Sequence, residues 1–402
     1  MLRGEDDVVH QGNPMTPGAR LAAAIAVLDR VLSGTPAEQA LTNWARASRF
    51  AGSGDRFAIR DLVFGAIRCR RSHAALGGAQ TGRGLILGGL RQAGVDASAL
   101  FTGQGHAPLP LTDAEAGAPP ALPELVALDC PDWLAPHLRA ALGPDFAPVM
   151  AALRARAPVY LRVNTARLAR AEAIAALATE GIAAKPHPLA DTALEVTENA
   201  RRIHLCRSYL DGLVELQDVA SQAVVQALPV APGMRVLDYC AGGGGKTLAL
   251  AARCDLRLFA HDSEPRRMGD LPARAARAGV QVRLTDTATA RRNAPYDLVL
   301  VDAPCSGSGS WRRAPEGKWA LDADRLTALG ATQAAILDAV APLVAPGGRL
   351  AYVTCSLLEA ENGAQIAAFL ARTAGWQRLS GLRLTPLDGG DGFFLAILGR
   401  NT

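Results

Sequence analysis

Residues 234–247 read MRVLDYCAGGGGKT: an apolar run, four glycines in a row, then a lysine and a threonine able to open a helix. A strand–loop–helix unit of this kind frees backbone N–H groups at the helix start to face an anionic or nucleotide-like ligand. Four consecutive glycines sacrifice chain entropy, so the run needs a reason beyond a plain turn. Two familiar loops are excluded. A Walker A loop requires glycine where Cys240 stands, five residues ahead of Gly245. The dinucleotide fingerprint G-x-G-x-x-G fails because its third glycine would fall on Thr247 or Leu248.

What remains is an acid, Asp238, closing a strand ahead of a glycine loop, the arrangement of an S-adenosylmethionine (SAM) loop. Outward from it, strands alternate with helices: LRLFAHD and a helix through Ala276, VQVRLTD, DLVLVDAP and a long helix, GRLAYVTCS and the helix ENGAQIAAFL, then GFFLAILGR. That alternation predicts a mostly parallel sheet covered on both faces, with ligands beyond the carboxyl ends of its strands. Acids mark those ends. Asp262 follows the second strand about twenty residues beyond the glycines, where an acid accepts both ribose hydroxyls. Asp286 is placed for an adenine amino group, and Asp302 leads into APCSGSG. One Asp after a strand is ordinarily a cap or turn former. Four in succession point to a ligand.

The 402 residues suffice for two or three domains, and 49% of them are hydrophobic. No stretch of eighteen uninterrupted apolar residues occurs, and the first twelve residues, MLRGEDDVVHQG, lack an apolar leader. A cytoplasmic protein is expected. Seven cysteines without a C-x-x-C pair argue against a disulfide frame or a zinc site. The net charge of +4 is placed unevenly: Thr16 to Ala75 carries nine Arg against four Asp and Glu, which suggests an anionic partner. Only three lysines occur, Lys185, Lys246 and Lys318. In a chain that otherwise uses arginine, they mark places suited to a compact ammonium.

The spacing of apolar and charged residues over 16–75 predicts helices. Residues 101–123, rich in Pro, Gly and Ala, read as an irregular crossing segment. A helical pattern in PDWLAPHLRAALG, a strand PVYLRVNT and a small mixed segment lead to about Pro229.

Cys69, Cys130 and Cys254 read as small buried hydrophobes. Cys305, in Asp302-Ala-Pro-Cys305-Ser-Gly, and Cys355, in Thr354-Cys355-Ser356, instead follow strands at the ligand edge. If the two strands are neighbours, their ends lie about 5 Å apart. Two thiols would then face one pocket beside a methyl donor. That suits methylation of pyrimidine carbon 5, which is a poor nucleophile until a thiolate adds to carbon 6.

On these motifs residues 130–400 resemble the RsmB/NOL1/NOP2/Sun family of RNA cytosine-C5 methyltransferases: CAGGGGKT, DAPCSGSG, WRRAPEGKW, APGGRLAYVTCS and DGFFLAIL, with PDWLAPHL, APVYLRVNT and ELQDVASQ upstream. FAGSGDRFAIRDLVFGAIR is similar to the family's helical NusB-like RNA-binding domain. The resemblance implies an α/β fold: a SAM-dependent Rossmann-like sheet over 230–402, a small α+β segment over 126–229 and a NusB-like domain over 16–125. It implies SAM held by Cys240, Ala241, Gly242, Gly243, Gly244, Gly245 and Lys246 with Asp262, Asp286 and Asp302. Cys355 would be the nucleophile, Cys305 the thiol that assists release, and Asp302 the partner of protonated cytosine N3.

Arg162, Asn164, Arg312, Arg313 and Lys318 would hold the RNA, aided by Arg46, Arg49, Arg56, Arg60 and Arg68. A monomer without metal, acting on ribosomal RNA, is expected. The chain departs from the family where Gly242-Gly243 replaces Ala-Pro and where Glu361-Asn362-Gly363 replaces a richer acidic cluster. Two alternatives remain at this point, a transfer-RNA target and a non-catalytic RNA-binding factor. A DNA enzyme would use Cys305 as nucleophile and leave Cys355 without a role.

Overall fold

The computed structural model describes residues 14–400, so the reading of the first twelve residues as free of a leader lies outside it. The chain divides into two compact units, Met1–Pro136 and His137–Thr402.

The first unit is helical. Helices α1 (Pro17–Leu32), α2 (Ala37–Ala47), α3 (Ser53–Arg68), α4 (Arg70–Gly77) and α5 (Gly82–Gln92) follow the apolar spacing. The Thr16 hydroxyl accepts from Ala19 N at 3.2 Å and so caps α1. Asp55, buried in the first turn of α3, accepts from Gly52 N at 3.3 Å and from Arg20 Nε at 2.8 Å. One carboxylate thus starts α3 and ties it to α1. Residues 101–123 form only a short helix, Asp113–Ala116, whose Glu115 is held by Arg83 at 2.7 Å.

The second unit contains two sheets. Strands β1 (Val159–Val163), β2 (Ala183–Pro186), β3 (Ala193–Glu198) and β4 (Val214–Leu216) form an antiparallel sheet in the order β2-β3-β1-β4. Its core is Leu161, Val163, Leu177, Leu194, Ile203 and Val214. The larger sheet contains β5 (Arg235–Asp238), β6 (Arg257–Ala260), β7 (Arg283–Leu284), β8 (Tyr296–Asp302), β9 (Val344–Thr354), β10 (Trp376–Leu384) and β11 (Phe393–Arg400). Their order is β10-β11-β9-β8-β5-β6-β7. The pairs among β5 to β9 are parallel, and β11 runs antiparallel to both its neighbours.

β8 reads YDLVLVD, a nearly continuous apolar run, because both its faces are covered. On one face Val224 of the helix Val219–Gln226 meets Val236 and Leu298; on the other, Leu337 and Val340 of the helix Ala323–Val340 meet Val299 and Val301. The stretch Ala323–Leu343 is long and apolar enough to cross a membrane by length and composition. Here it covers the sheet. The connections run to opposite sides of β5, so the strand order reverses between β5 and β8, and their carboxyl ends are where sheets of this kind bind ligands.

Three elements differ from the sequence reading. The helix after the glycines begins at Gly245 rather than Thr247. VQVRLTD yields a strand of two residues only, at the sheet edge. WQRLSGLRL gave no signal, yet forms β10, an edge strand whose side chains are mostly exposed and need no apolar alternation.

Candidate active site

The site assembles at the carboxyl ends of β5, β6, β8 and β9. At β5, Asp238 is buried, and its Oδ2 accepts from Thr247 Oγ1 at 2.6 Å while Oδ1 has no hydrogen-bond partner. Burial pushes its carboxyl up to about 7, against the opposing pull of the Thr247 hydrogen bond. An orphaned buried acceptor beside a glycine loop leaves one position for a ligand donor, and in this respect the residues fit SAM. Gly242 and Gly244 adopt φ of +51° and +77°, conformations that favour glycine. Gly244 has a second reason: a β-carbon there would lie 2.2 Å from Leu271 Cδ1.

Asp262 closes the loop from β6. Its Oδ2 accepts from Gly242 N at 2.9 Å and pairs with Arg267 at 3.2 Å, while Oδ1 accepts from Glu264 N at 2.9 Å. Asp286 caps the helix Thr287–Arg292, accepting from Thr289 N at 2.6 Å, and this hydrogen bond holds its carboxyl below the ordinary value. Cys240 is half-buried; burial, followed by the charge of Asp238, pushes its thiol up and keeps it protonated. Lys246 turns away from the glycines. Its Nζ donates to Asp302 Oδ2 at 2.6 Å and lies 5.1 Å from the centre of the Phe393 ring. Burial opposes its charge, but Asp302, together with Cys355 and Asp238, outweighs burial and raises the ammonium above the ordinary lysine value.

β8 and β9 are neighbours, with Asp302 opposite Val353, and they bring the sulfurs of Cys305 and Cys355 to 3.5 Å. The thiols are inequivalent. The hydrogen bond between them raises Cys305, as do burial and the nearby Glu361 charge. The same bond lowers Cys355, with help from Lys246 and the Ser310 hydroxyl, against burial and the charge of Asp302. Of the two, Cys355 is therefore the thiol that gives up its proton more readily, and Cys305 the one that keeps it.

Glu361 carries the support of both cysteines, a role the sequence did not single out. Fully buried at 0% exposure, it accepts from Ser306 N at 2.8 Å, Ser306 Oγ at 2.5 Å, Ser356 Oγ at 2.5 Å and Gln333 Nε2 at 3.0 Å. Ser306 follows Cys305 and Ser356 follows Cys355, so one carboxylate fixes both thiol-bearing turns. Asn362 donates to Ser356 O at 2.9 Å and accepts from Thr354 Oγ1 at 2.5 Å. Glu361 and Asn362 thus both hold the turn after β9, despite the reduced acidic cluster. Gly309 N donates to Cys355 O at 2.9 Å, and Gly309 O accepts from Gly392 N at 2.9 Å. A β-carbon on Gly309 would lie 2.1 Å from Gly392 O, so the contact requires glycine.

Four of the residues expected at the RNA have their polar groups buried inside the unit. Arg162, 5% exposed, donates to Gln217 Oε1 at 2.6 Å and to Gly245 O at 2.8 Å. Asn164 donates to Gly212 O at 3.1 Å and Ala278 O at 3.0 Å. Arg312, also 5% exposed, pairs with Asp391 at 2.9 Å and donates to Gly389 O at 2.8 Å. Lys318 is 1% exposed, with its ammonium 4.5 Å from the centre of the Trp319 ring. Arg313 is partly exposed, but bridges Asp391 at 2.7 Å and Asp218 at 2.6 Å. These residues brace the small sheet, the loop after β8 and the start of β11. Of the arginines in the first unit, Arg46, Arg49 and Arg56 are exposed, Arg60 pairs with Glu38, and Arg68 is buried. Among the described residues, no group of three or more His, Cys, Asp or Glu is placed to hold a metal ion.

Residues 225–398 match the family profile described as 16S rRNA methyltransferase RsmB/F, and residues 130–202 match the ferredoxin-like domain of the RsmF/B-like methyltransferases. Ribosomal RNA small subunit methyltransferase B of Xanthomonas campestris pv. campestris is 40% identical over 255 residues, 61% of this chain and 58% of that protein. The protein of the same name from Xylella fastidiosa strain 9a5c is 37% identical over 286 residues, 67% of this chain and 68% of the relative. The match thus spans about three fifths to two thirds of these relatives' length. Among solved structures, PH0851 superposes with a TM-score of 0.74 at 22% identity, covering 96% of this chain and 99% of its own. A methyltransferase homologue protein from Pyrococcus horikoshii superposes with a TM-score of 0.61 at 25% identity, covering 69% and 97%. The fold is that of a SAM-dependent methyltransferase, and the chain belongs to the RsmB/F family within the wider RsmB/NOL1/NOP2/Sun group.

Proposed function

We propose that this chain methylates carbon 5 of a cytosine in RNA, in 16S ribosomal RNA, through a covalent cysteine adduct. The observation that carries the reading is the pair of inequivalent thiols 3.5 Å apart, next to the Lys246–Asp302 ion pair, at the ends of adjacent strands.

Bound at the glycine loop, SAM supplies an electrophilic methyl group. Asp238, Asp262 and the backbone of Gly242 to Gly245 bind and orient it, and Asp286 meets the adenine. The Cys355 thiolate adds to carbon 6 of an unpaired or flipped cytosine and makes carbon 5 nucleophilic. Asp302, fixed by Lys246, accepts the N–H of the protonated ring nitrogen as charge moves into the ring, so this interaction favours the transition state over the ground state. After methylation the carbon-5 proton must leave, and its electrons expel the Cys355 sulfur. Cys305 is placed for this. Its proton is held chiefly by the neighbouring sulfur, with burial and the Glu361 charge behind it, and the first of these restraints ends once that sulfur is bonded to the ring. Cys305, having lost its proton to solvent, then takes the carbon-5 proton as the carbon 5–carbon 6 double bond re-forms.

Arg46, Arg49 and Arg56 of the first unit, which we read as an RNA-binding domain, supply sequence-independent contacts to the RNA backbone. Ribosomal RNA as the target is supported by the names of the relatives. Transfer of labelled methyl groups from SAM to 16S rRNA transcripts, mapped as 5-methylcytosine, tests the reading. Methylation of transfer RNA alone would replace the substrate, and no transfer to any RNA would remove the function.

A further inference from the structure

The cofactor loop is held from outside. Its glycines offer no side chain for packing, and such a run has the most conformational entropy to lose on ordering. Two of its carbonyl groups are nonetheless pinned by arginines. Arg162 of β1 donates to Gly245 O at 2.8 Å, and Arg274, on the helix Leu271–Ala278, donates to Gly243 O. Arg274 is in turn held by Glu215 of β4, its Nε 3.4 Å from Oε2 of that buried carboxylate, which also takes Arg277 at 2.7 Å. The same helix presses Leu271 onto Gly244. It therefore meets the loop by packing at Gly244 and by a charged hydrogen bond at Gly243.

We propose that Arg274, oriented by Glu215, is a positioning residue for the cofactor, fixing the Gly243 peptide so that the loop N–H groups stay aimed at the ligand. The inference rests on the loop being the SAM site. Gly243 is where a stiffer residue fits: its φ lies outside the left-handed region, and a β-carbon built there meets only Arg274 Nη1, at 3.1 Å. A side chain at position 243 and the arginine at 274 are therefore alternative ways to restrict the same peptide. Removing one makes room for the other.

Calorimetric titration of SAM into the full chain tests this, alongside thermal melting without ligand. Wild type should bind, and Arg274→Ala should bind about tenfold more weakly, the loss of one charged hydrogen bond. Adding Gly243→Ala to that variant should regain about threefold by restricting the unbound loop. Arg274→Lys keeps the charge against Glu215 but lacks the fork that serves both partners, so it should fall in between; it carries the test if Arg274→Ala melts too early to titrate. An unchanged dissociation constant in Arg274→Ala, or a loss that Gly243→Ala does not reverse, overturns the proposal. Wild-type chain that does not bind SAM overturns the cofactor reading beneath it, and the wild-type titration alone distinguishes the two failures.

Discussion

At the scale of single residues, protonation is the property that separates otherwise identical groups. Cys355 is held below the ordinary thiol value chiefly by the hydrogen bond from Cys305. Removing that donor in Cys305→Ala should raise the Cys355 value, so alkylation of Cys355 by iodoacetamide, followed by mass spectrometry, should need higher pH. A profile that stays in place would remove Cys305 as the cause. Asp238 works in the opposite sense: burial raises its folded value from 3.8 to about 7. Its contribution to stability is then complete in acid, below the unfolded value, and is lost as pH rises through the folded one. Melting temperature should fall between about pH 4 and about pH 7, and Asp238→Asn should flatten that slope. Asp262→Ala should weaken SAM binding by about 2 kcal/mol, since the carboxylate both closes the loop through Gly242 N and accepts from the ribose. Unchanged SAM titration would exclude both roles. The placement of the thiols and the four acids was legible in the sequence because each follows a strand. Glu361 was not, because its importance comes from Ser306 and Gln333, which are remote in the chain.

At the scale of elements, strongly buried segments were readable and edges were not. β8 and β9 announced themselves as apolar runs ending in chemistry, and their adjacency converts two distant cysteines into one site. β10 lies on the sheet edge with its side chains in solvent, so no periodic burial marks it. The arginines of WRRAPEGKW show their charge in the sequence but not the acids that meet it. Asp391 and Asp218 meet it inside the unit. The turns after β8 and β9 depend on one carboxylate. Glu361→Ala takes the acceptor from the half-buried Ser306 N–H and the buried Ser356 hydroxyl, and should cost about 3 kcal/mol in denaturant unfolding. A cost below 1 kcal/mol, on the scale of an ordinary surface substitution, would show that the two turns hold themselves.

At the scale of the whole molecule, a helical unit with exposed arginines is joined to a catalytic unit whose own basic residues are mostly engaged. RNA affinity should therefore draw on Arg46, Arg49 and Arg56. Changing all three to alanine should reduce the slope of log affinity against log salt by about 2, without altering SAM binding. An unchanged slope would move the RNA surface elsewhere. The central claim is that Cys355 attacks and Cys305 releases, and denaturing gel electrophoresis of each cysteine variant with SAM and target RNA tests it most directly. Cys305→Ser should leave a protein–RNA complex that survives denaturation, and Cys355→Ser should leave none and transfer no methyl group. A trapped complex in Cys355→Ser that is absent in Cys305→Ser would contradict the assignment.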